Sequence, residues 1–127
     1  MNIPENLKYT KDHEWILIED NYATIGITDF AQSELGDIVY VECDTQGESL
    51  EAESVFGTVE AVKTVSDLFM PVSGSIQSFN EKLEDTPEII NEDPYGDGWM
   101  IKIKISNPKE LLSLLDFKAY EGLLKGE

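Results

Sequence analysis

The chain has 127 residues, of which 26 are Asp or Glu and 9 are Lys or Arg, so its formal net charge is −17 at pH 7. Every one of these cations is a lysine, because the sequence contains no arginine. Since binding to nucleic acids and to anionic membrane surfaces depends on Lys and Arg, this charge argues against both kinds of partner. Clamps that need an arginine fork to hold phosphate or carboxylate are excluded outright.

Length and apolar content predict one domain, residues 1–127, with enough hydrophobic residues for a core. No apolar run approaches the roughly 18 to 20 residues that a membrane helix needs. The first residues, 1–15, contain neither a hydrophobic signal core nor an Arg-rich transit pattern. Cys43 is the single cysteine, which suits a reducing compartment. We therefore expect a cytoplasmic protein, or a mitochondrial matrix protein only if a transit peptide has been removed.

Alternation of apolar and polar residues predicts many short β-strands. The first two, Glu14–Glu19 and Tyr22–Ile27, are separated by Asp20-Asn21, which is typical of a hairpin turn. In the strand predicted over 99–105, Trp99 and three isoleucines share one face, and two lysines lie on the other. This pattern favours a compact barrel or sandwich. Further strands are predicted over 37–43, 54–61, 64–70 and 75–79.

Helices are predicted to be short and peripheral. Residues 29–35 can form two turns that end at Gly36 in the left-handed conformation. Asn107, which is followed by proline, is predicted to cap a second helix. Asp116 is predicted to cap a last helix that extends through Lys125 and has one apolar side.

The sequence offers no pattern of catalytic or metal-binding residues. His13 is the only histidine, so a zinc site built from Cys and His is not expected, and we predict a surface or strand-edge histidine. The acidic segment 91–98 lacks the ligand spacing of an EF-hand and predicts a tight loop. We therefore assign no catalytic residue and no metal ligand.

Lys63 is the only cation in residues 54–78, and β-type sequence lies on both sides of it. One interpretation is an ordinary solvated lysine at a turn or on an edge strand, where lysine discourages aggregation. The other is a lysine displayed at a hairpin tip so that an enzyme can acylate its amine, since a swinging prosthetic arm needs an exposed attachment point on a rigid scaffold. Composition and spacing alone favour the ordinary lysine.

Several motifs in the same order along nearly the whole chain resemble the glycine cleavage H-protein family. The resemblance implies a mainly β fold, a flattened barrel-sandwich hybrid related to lipoyl and biotinyl carrier domains, with short peripheral helices and a C-terminal helix. The agreeing motifs are Tyr9, His13-Glu14-Trp15, residues 23–29, 35–39, 60–67 and 71–74, Asp93-Pro94-Tyr95 and Gly98-Trp99.

The resemblance also implies a function, that of a carrier rather than an enzyme. Lipoic acid would be attached to Lys63 as N6-lipoyllysine by a lipoate ligase or a lipoyl or octanoyl transferase. The arm would carry the aminomethyl group of glycine from the P protein (glycine decarboxylase) to the T protein (aminomethyltransferase), and the L protein would reoxidise it. Glu14 and Asp67 match family positions near the loaded arm. A monomer is expected.

Three alternatives remain open at the level of sequence. A lipoyl relay donor to other 2-oxoacid dehydrogenase complexes would keep the same lysine. A biotinyl carrier usually has methionines beside its lysine, where this chain has Val62 and Thr64. An unmodified acidic adaptor would carry no adduct. The chain also departs from the common family pattern at Ala61, where serine is usual, and at Glu34, where some relatives have histidine.

Overall fold

The structure, a computed structural model, describes residues 2–126 as two antiparallel β-sheets with short helices at their edges. The strands are β1 Lys8–Tyr9, β2 Glu14–Glu19, β3 Tyr22–Ile27, β4 Ile38–Glu42, β5 Ser49–Leu50, β6 Val55–Ala61, β7 Val65–Phe69, β8 Gly74–Phe79 and β9 Ile101–Ile105. The α-helices are α1 Asp29–Leu35, α2 Lys82–Asp85, α3 Ile89–Glu92 and α4 Phe117–Leu124, and Pro108–Ser113 forms a 3₁₀ helix.

The larger sheet has the strand order β1-β2-β3-β9-β8-β5, and the smaller sheet has the order β4-β6-β7. Both sheets contribute to one hydrophobic core, in which Ile16 and Ile25 from the larger sheet pack with Val41, Val59 and Leu68 from the smaller one. The two sheets pack on each other and do not close into a barrel. This mainly β architecture with short helices confirms the predicted flattened barrel-sandwich fold. Among residues 2–126, no helix has both the length and the apolar character to span a membrane.

Every predicted strand except the last lies within one residue of its predicted ends, and the structure adds the two-residue strands β1 and β5, which were not predicted. The hairpin with Asp20-Asn21 at its turn forms as predicted, with Glu19 opposite Tyr22. The last strand, however, begins at Ile101, and Trp99 lies outside it. The prediction that Trp99 shares a face with the isoleucines is wrong, because the Lys102 Nζ lies 4.8 Å from the centre of the Trp99 ring. Alternation holds only within the paired strand and does not extend into the preceding loop.

The predicted helix ends are partly correct. Gly36 ends α1 with φ +79° and ψ −153°, a positive φ as expected but outside the left-handed helical region. Asn107 makes no capping hydrogen bond with its side chain, so that prediction is wrong. Glu110, in the same 3₁₀ helix, instead accepts hydrogen bonds from the backbone N–H and the hydroxyl of Ser73. Asp116 caps α4 as predicted and accepts from the Ala119 N–H at 2.8 Å.

A second hydrophobic cluster holds α4 against the start of the larger sheet. Tyr120 of α4 stacks on Tyr9 of β1 with ring centroids 4.7 Å apart and planes at 7°. Leu115, which precedes α4, exchanges backbone hydrogen bonds with Tyr9 at 2.8 Å. Trp15 is buried in the same cluster. The C-terminal helix therefore rests on the turn between β1 and β2, a contact on which the functional site depends.

Candidate functional site

Lys63 lies in the turn that joins β6 to β7. The turn is closed by a hydrogen bond from the Ala61 N–H to the Thr64 carbonyl at 2.7 Å. The Val62 N–H donates to the carbonyl of Asp37 at 3.0 Å, which ties the turn to the residue before β4. Lys63 itself is exposed, and Val62 is 76% exposed. The chain thus presents a lysine at the end of a hydrogen-bonded hairpin.

The amine of Lys63 takes no part in the ion pairs found among residues 2–126, which join Lys82 to Asp97 and Lys125 to Glu121. Its side chain extends over Gly36, where an added Cβ would lie 3.6 Å from the Lys63 Cε. Gly36 has a positive φ that disfavours any other residue, so a bare stretch of backbone lies beneath the lysine stem. No carboxylate of residues 2–126 therefore forms an ion pair with the amine.

A cleft of about 190 Å³ lies beside α1 and β7. Glu14 and Asp67, the two residues that the family resemblance marked, both line it, and the structure therefore brings them together. Asp67 is four residues beyond Lys63, roughly 13 Å along an extended strand. Besides these two carboxyl groups, the cleft is lined by Asp12, His13, Ile27, Phe30, Ala31, Glu34, Leu35, Val59, Ser66 and Leu68.

Glu14 is buried, with only 2% of its surface exposed. Its carboxyl group accepts hydrogen bonds from the Phe69 N–H at 2.8 Å and from the Thr10 hydroxyl at 3.3 Å. Burial raises the pKa of Glu14 to about 8, and the nearby charge of Asp12 acts in the same direction, against the lowering effect of the hydrogen bonds. At neutral pH this side chain is therefore a mainly protonated acid, ready to ionise when a cation approaches.

A second cavity, of about 280 Å³, is lined in part by Thr10, Lys11 and Asp12 of the turn before β2. The two cavities share Asp12 and Glu14. Although the second cavity is larger, its wall contains Met70 and Pro71 from beyond the far end of β7, and it lacks Asp67. The smaller cleft is the better candidate, because Asp67 and Leu35 line it and Leu35 directly precedes Gly36, over which Lys63 extends.

No local pattern indicated that His13 lines this cleft, although the family resemblance includes it in the motif His13-Glu14-Trp15. It is partly buried, with its ring 4.7 Å from that of Phe30 and its Nδ1 2.8 Å from the Tyr120 hydroxyl. His13 directly precedes β2 and is partly exposed, which agrees with the expectation of a surface or strand-edge histidine, although its contacts with α1 and α4 were not predicted.

The lining residues decide what the cleft can bind. Four carboxyl groups and one imidazole surround apolar side chains, and no lysine is among the lining residues. Such a surface suits a slender apolar chain that ends in a positively charged group, since carboxylates bind cations through charge-assisted hydrogen bonds. Within residues 2–126, no group of three or more His, Cys, Asp or Glu side chains could hold a metal ion.

Among solved structures, the glycine cleavage system H protein of Mycobacterium marinum superimposes with a TM-score of 0.86 and 38% identity, over 97% of this chain and 99% of that one. The fold therefore places the molecule among the carrier domains of the lipoyl type.

Sequence comparison identifies the family. The family model described as "Glycine cleavage H-protein" matches residues 7–127. The chain is 60% identical to the glycine cleavage system H protein of Chlorobium limicola, with 98% of each chain covered. It is 54% identical to that of Bacteroides fragilis, again with 98% of each chain covered. The chain belongs to the glycine cleavage H-protein family.

Proposed function

We propose that this chain is the lipoyl-bearing shuttle of a glycine cleavage system. It carries the aminomethyl group of glycine from the P protein to the T protein, and the L protein then reoxidises it. The chain itself performs no catalysis, and residues 1–127 act as one carrier domain. Family membership supports this function directly, and the relatives are H proteins over nearly their full length.

The observation that carries the assignment of the attachment point is the position of Lys63. An enzyme that acylates a lysine must bring the amine into its own active site, so the amine has to be exposed and free of ion pairs. Lys63 meets both conditions at the tip of the β6–β7 hairpin. When bound, the lipoyl group supplies a dithiolane whose sulfur accepts the one-carbon unit. A lipoate ligase or a lipoyl or octanoyl transferase would make the amide bond.

Glu14 and Asp67 are proposed to hold the amine at the end of the loaded arm. Both line the cleft beside the hairpin, and the cleft has no cation among its lining residues. A cation that enters would favour the ionised form of the buried Glu14. The apolar side chains of Phe30 and Leu35 would restrict water around the arm, which protects a group that water can remove.

We further propose that the chain acts as a monomer in the cytoplasm. Light scattering of the purified chain would test the monomer, and cell fractionation would test the location. Its similarity to bacterial H proteins supports this location. Neither a biotinyl carrier nor a lipoyl relay donor is favoured by the family match.

Intact mass tests the attachment point. Chain expressed in cells that lipoylate proteins should carry one lipoyl adduct, and the variant Lys63→Arg should carry none. Lys82→Arg is the matched control, because Lys82 is an exposed lysine away from the hairpin, and this variant should keep the adduct. Full modification of Lys63→Arg, or an unmodified natural chain beside an active ligase, would contradict the proposal. A biotinyl mass would point to the other carrier class.

A further inference from the structure

His13 lies where three parts of the molecule meet. It belongs to the turn before β2, its ring packs on Phe30 of α1, and its Nδ1 lies 2.8 Å from the hydroxyl of Tyr120 in α4. Its backbone has φ +67°, a left-handed conformation that is uncommon outside glycine. The turn is held by hydrogen bonds from the His13 N–H to the Thr10 carbonyl and from the Thr28 N–H to the His13 carbonyl. The ring therefore has a fixed place in the cleft wall.

The hydrogen bonds of Tyr120 and Thr28 determine which nitrogen of His13 carries a proton. The Thr28 hydroxyl oxygen accepts from the Ala31 N–H and lies 2.7 Å from the Tyr120 hydroxyl, its only partner for donation in the described chain. If Thr28 donates to Tyr120, then Tyr120 donates its single proton to the Nδ1 of His13. The hydroxyls of Thr28 and Tyr120 and the Nδ1 of His13 then all have partners, provided that the imidazole is neutral and carries its proton on Nε2.

Protonation of His13 would break this arrangement. With a proton on Nδ1, the Tyr120 oxygen must accept from the ring, and the Tyr120 proton must turn toward Thr28. The proton of Thr28 would then have no acceptor, although Thr28 is fully buried, and an unpaired buried donor is costly. Burial also lowers the pKa of His13, more strongly than the charges of Asp12 and Glu34 raise it.

We propose that Tyr120 and Thr28 are positioning residues that keep His13 neutral, and that protonation of His13 expels a positively charged group from the cleft. The inference rests on the proposed function, because the cation is the amine at the end of the loaded arm. A charged imidazole in the cleft wall would repel that amine. His13 thus sets the lower pH limit at which the chain holds its cargo.

Other titratable groups face the same space and have to be separated from His13. Asp12 adjoins it in the turn, Glu14 follows it on β2, Glu34 projects from α1 and Asp67 from β7. Protonation of any of these carboxyl groups also weakens the attraction for a cation. When His13 is replaced by a residue that does not titrate, only the part of the pH dependence that is due to His13 should disappear.

Nitrogen-15 NMR of the unmodified chain tests the arrangement without any arm. The expected spectrum at about pH 7.5 shows a protonated Nε2 and an unprotonated Nδ1 in His13. In Tyr120→Phe the midpoint of the His13 titration should rise, because Nδ1 loses its donor. A proton on Nδ1 in the neutral ring, or a midpoint that Tyr120→Phe leaves unchanged, would overturn the proposal.

Retention of the loaded arm tests the consequence. The lipoylated chain is loaded from glycine by the decarboxylase, isolated, and followed for loss of the one-carbon unit, relative to free loaded lipoamide, from about pH 7.5 to a pH below the His13 midpoint that the NMR titration gives. Protection should fall about tenfold across the His13 titration. In His13→Asn, which stays neutral and tolerates positive φ, the part of this fall that follows the His13 midpoint should be absent, and only the part due to the carboxyl groups should remain.

The same loss of protection in His13→Asn would overturn the inference. Failure of the proposed function has a different signature, since the natural chain would then show no lipoyl mass and could not be loaded. The NMR measurement stays informative in either case. A folded His13→Asn is established by its amide spectrum, and Tyr120→Phe provides an independent second variant.

Discussion

Glu14 places a carboxyl group in an interior that offers it two hydrogen-bond donors, the N–H of Phe69 and the hydroxyl of Thr10. These donors do not offset the loss of water, and the pKa rises to about 8. The folded chain therefore binds a proton that the unfolded chain releases near the ordinary carboxyl pKa of 4.5. This contribution to stability is complete below about pH 4.5 and is lost as the pH rises to about 8.

Replacing Glu14 by glutamine should remove this pH dependence. The amide is neutral and keeps an oxygen for the Phe69 N–H. Between pH 5 and pH 8, the free energy of unfolding of Glu14→Gln should fall by about 3.5 kcal/mol less than that of the natural chain. Urea unfolding at both pH values provides the measurement. Glu19→Gln, at the exposed end of the same strand, is the control, and parallel pH profiles for all three chains would contradict the assignment.

At the scale of elements, α4 is short and depends on its cap. The helix has eight residues, and a helix of this length is marginal without packing and end groups. Asp116 accepts a hydrogen bond from the Ala119 N–H, and the helix in turn holds Tyr120 against Tyr9. The cap thus supports the residue that contacts His13.

Asp116→Ala should lower the free energy of unfolding by about 1 kcal/mol, because an N–H in the first turn loses its acceptor. Asp116→Asn is the matched control, since asparagine caps about as well without the charge. Thermal or urea unfolding of the three chains decides the point. If the alanine and asparagine variants were equally destabilised, charge rather than capping would explain the effect.

Strands were easier to predict than the contacts between elements. Alternation identifies β2, β3 and β9 because each buries one face on a common core, so local sequence records the burial. The environment of His13 depends on Tyr120, which is 107 residues away, and no local pattern reports that contact. Asn107 had the right residue type for a cap, but the fold gives that helix a different partner through Glu110.

The residues of the candidate site were predicted from the family resemblance, whereas their burial was not. Lys63 was picked out by the family resemblance, since lysines at turns are common and composition favoured an ordinary one. Glu14 and Asp67 were marked by the same resemblance, and the structure places both on one cleft. The burial of Glu14 could not be read from the strand pattern, because Glu14, Trp15 and Ile16 are consecutive and all buried. A helix over one face and a sheet over the other produce that result.

For the whole molecule, the net charge of −17 is the dominant property. A carrier has to meet several larger enzymes in succession, and a strong field of one sign speeds each encounter with a basic surface. We expect the P, T and L proteins to present such surfaces. Salt screens these fields within about 10 Å at 0.1 M.

Association rates with each partner should therefore fall about tenfold or more between low salt and about 0.5 M salt, while dissociation rates change less. Stopped-flow mixing of the chain with each purified enzyme measures both rates. Sucrose at matched viscosity controls for effects other than screening. Association rates that do not depend on salt would show that charge does not guide the encounter.

The hydrogen bond from the Val62 N–H to the Asp37 carbonyl limits the volume that a group on the Lys63 amine can explore. It anchors the backbone from which Lys63 extends, so a group attached to the amine moves about a stationary pivot. Such a group explores a sphere whose radius is the length of its own tether, and its local concentration falls as that radius grows. For the lipoyl arm that we propose on Lys63, an anchored pivot keeps this sphere small, so an enzyme docked on the chain would meet the arm at the highest concentration that its tether allows.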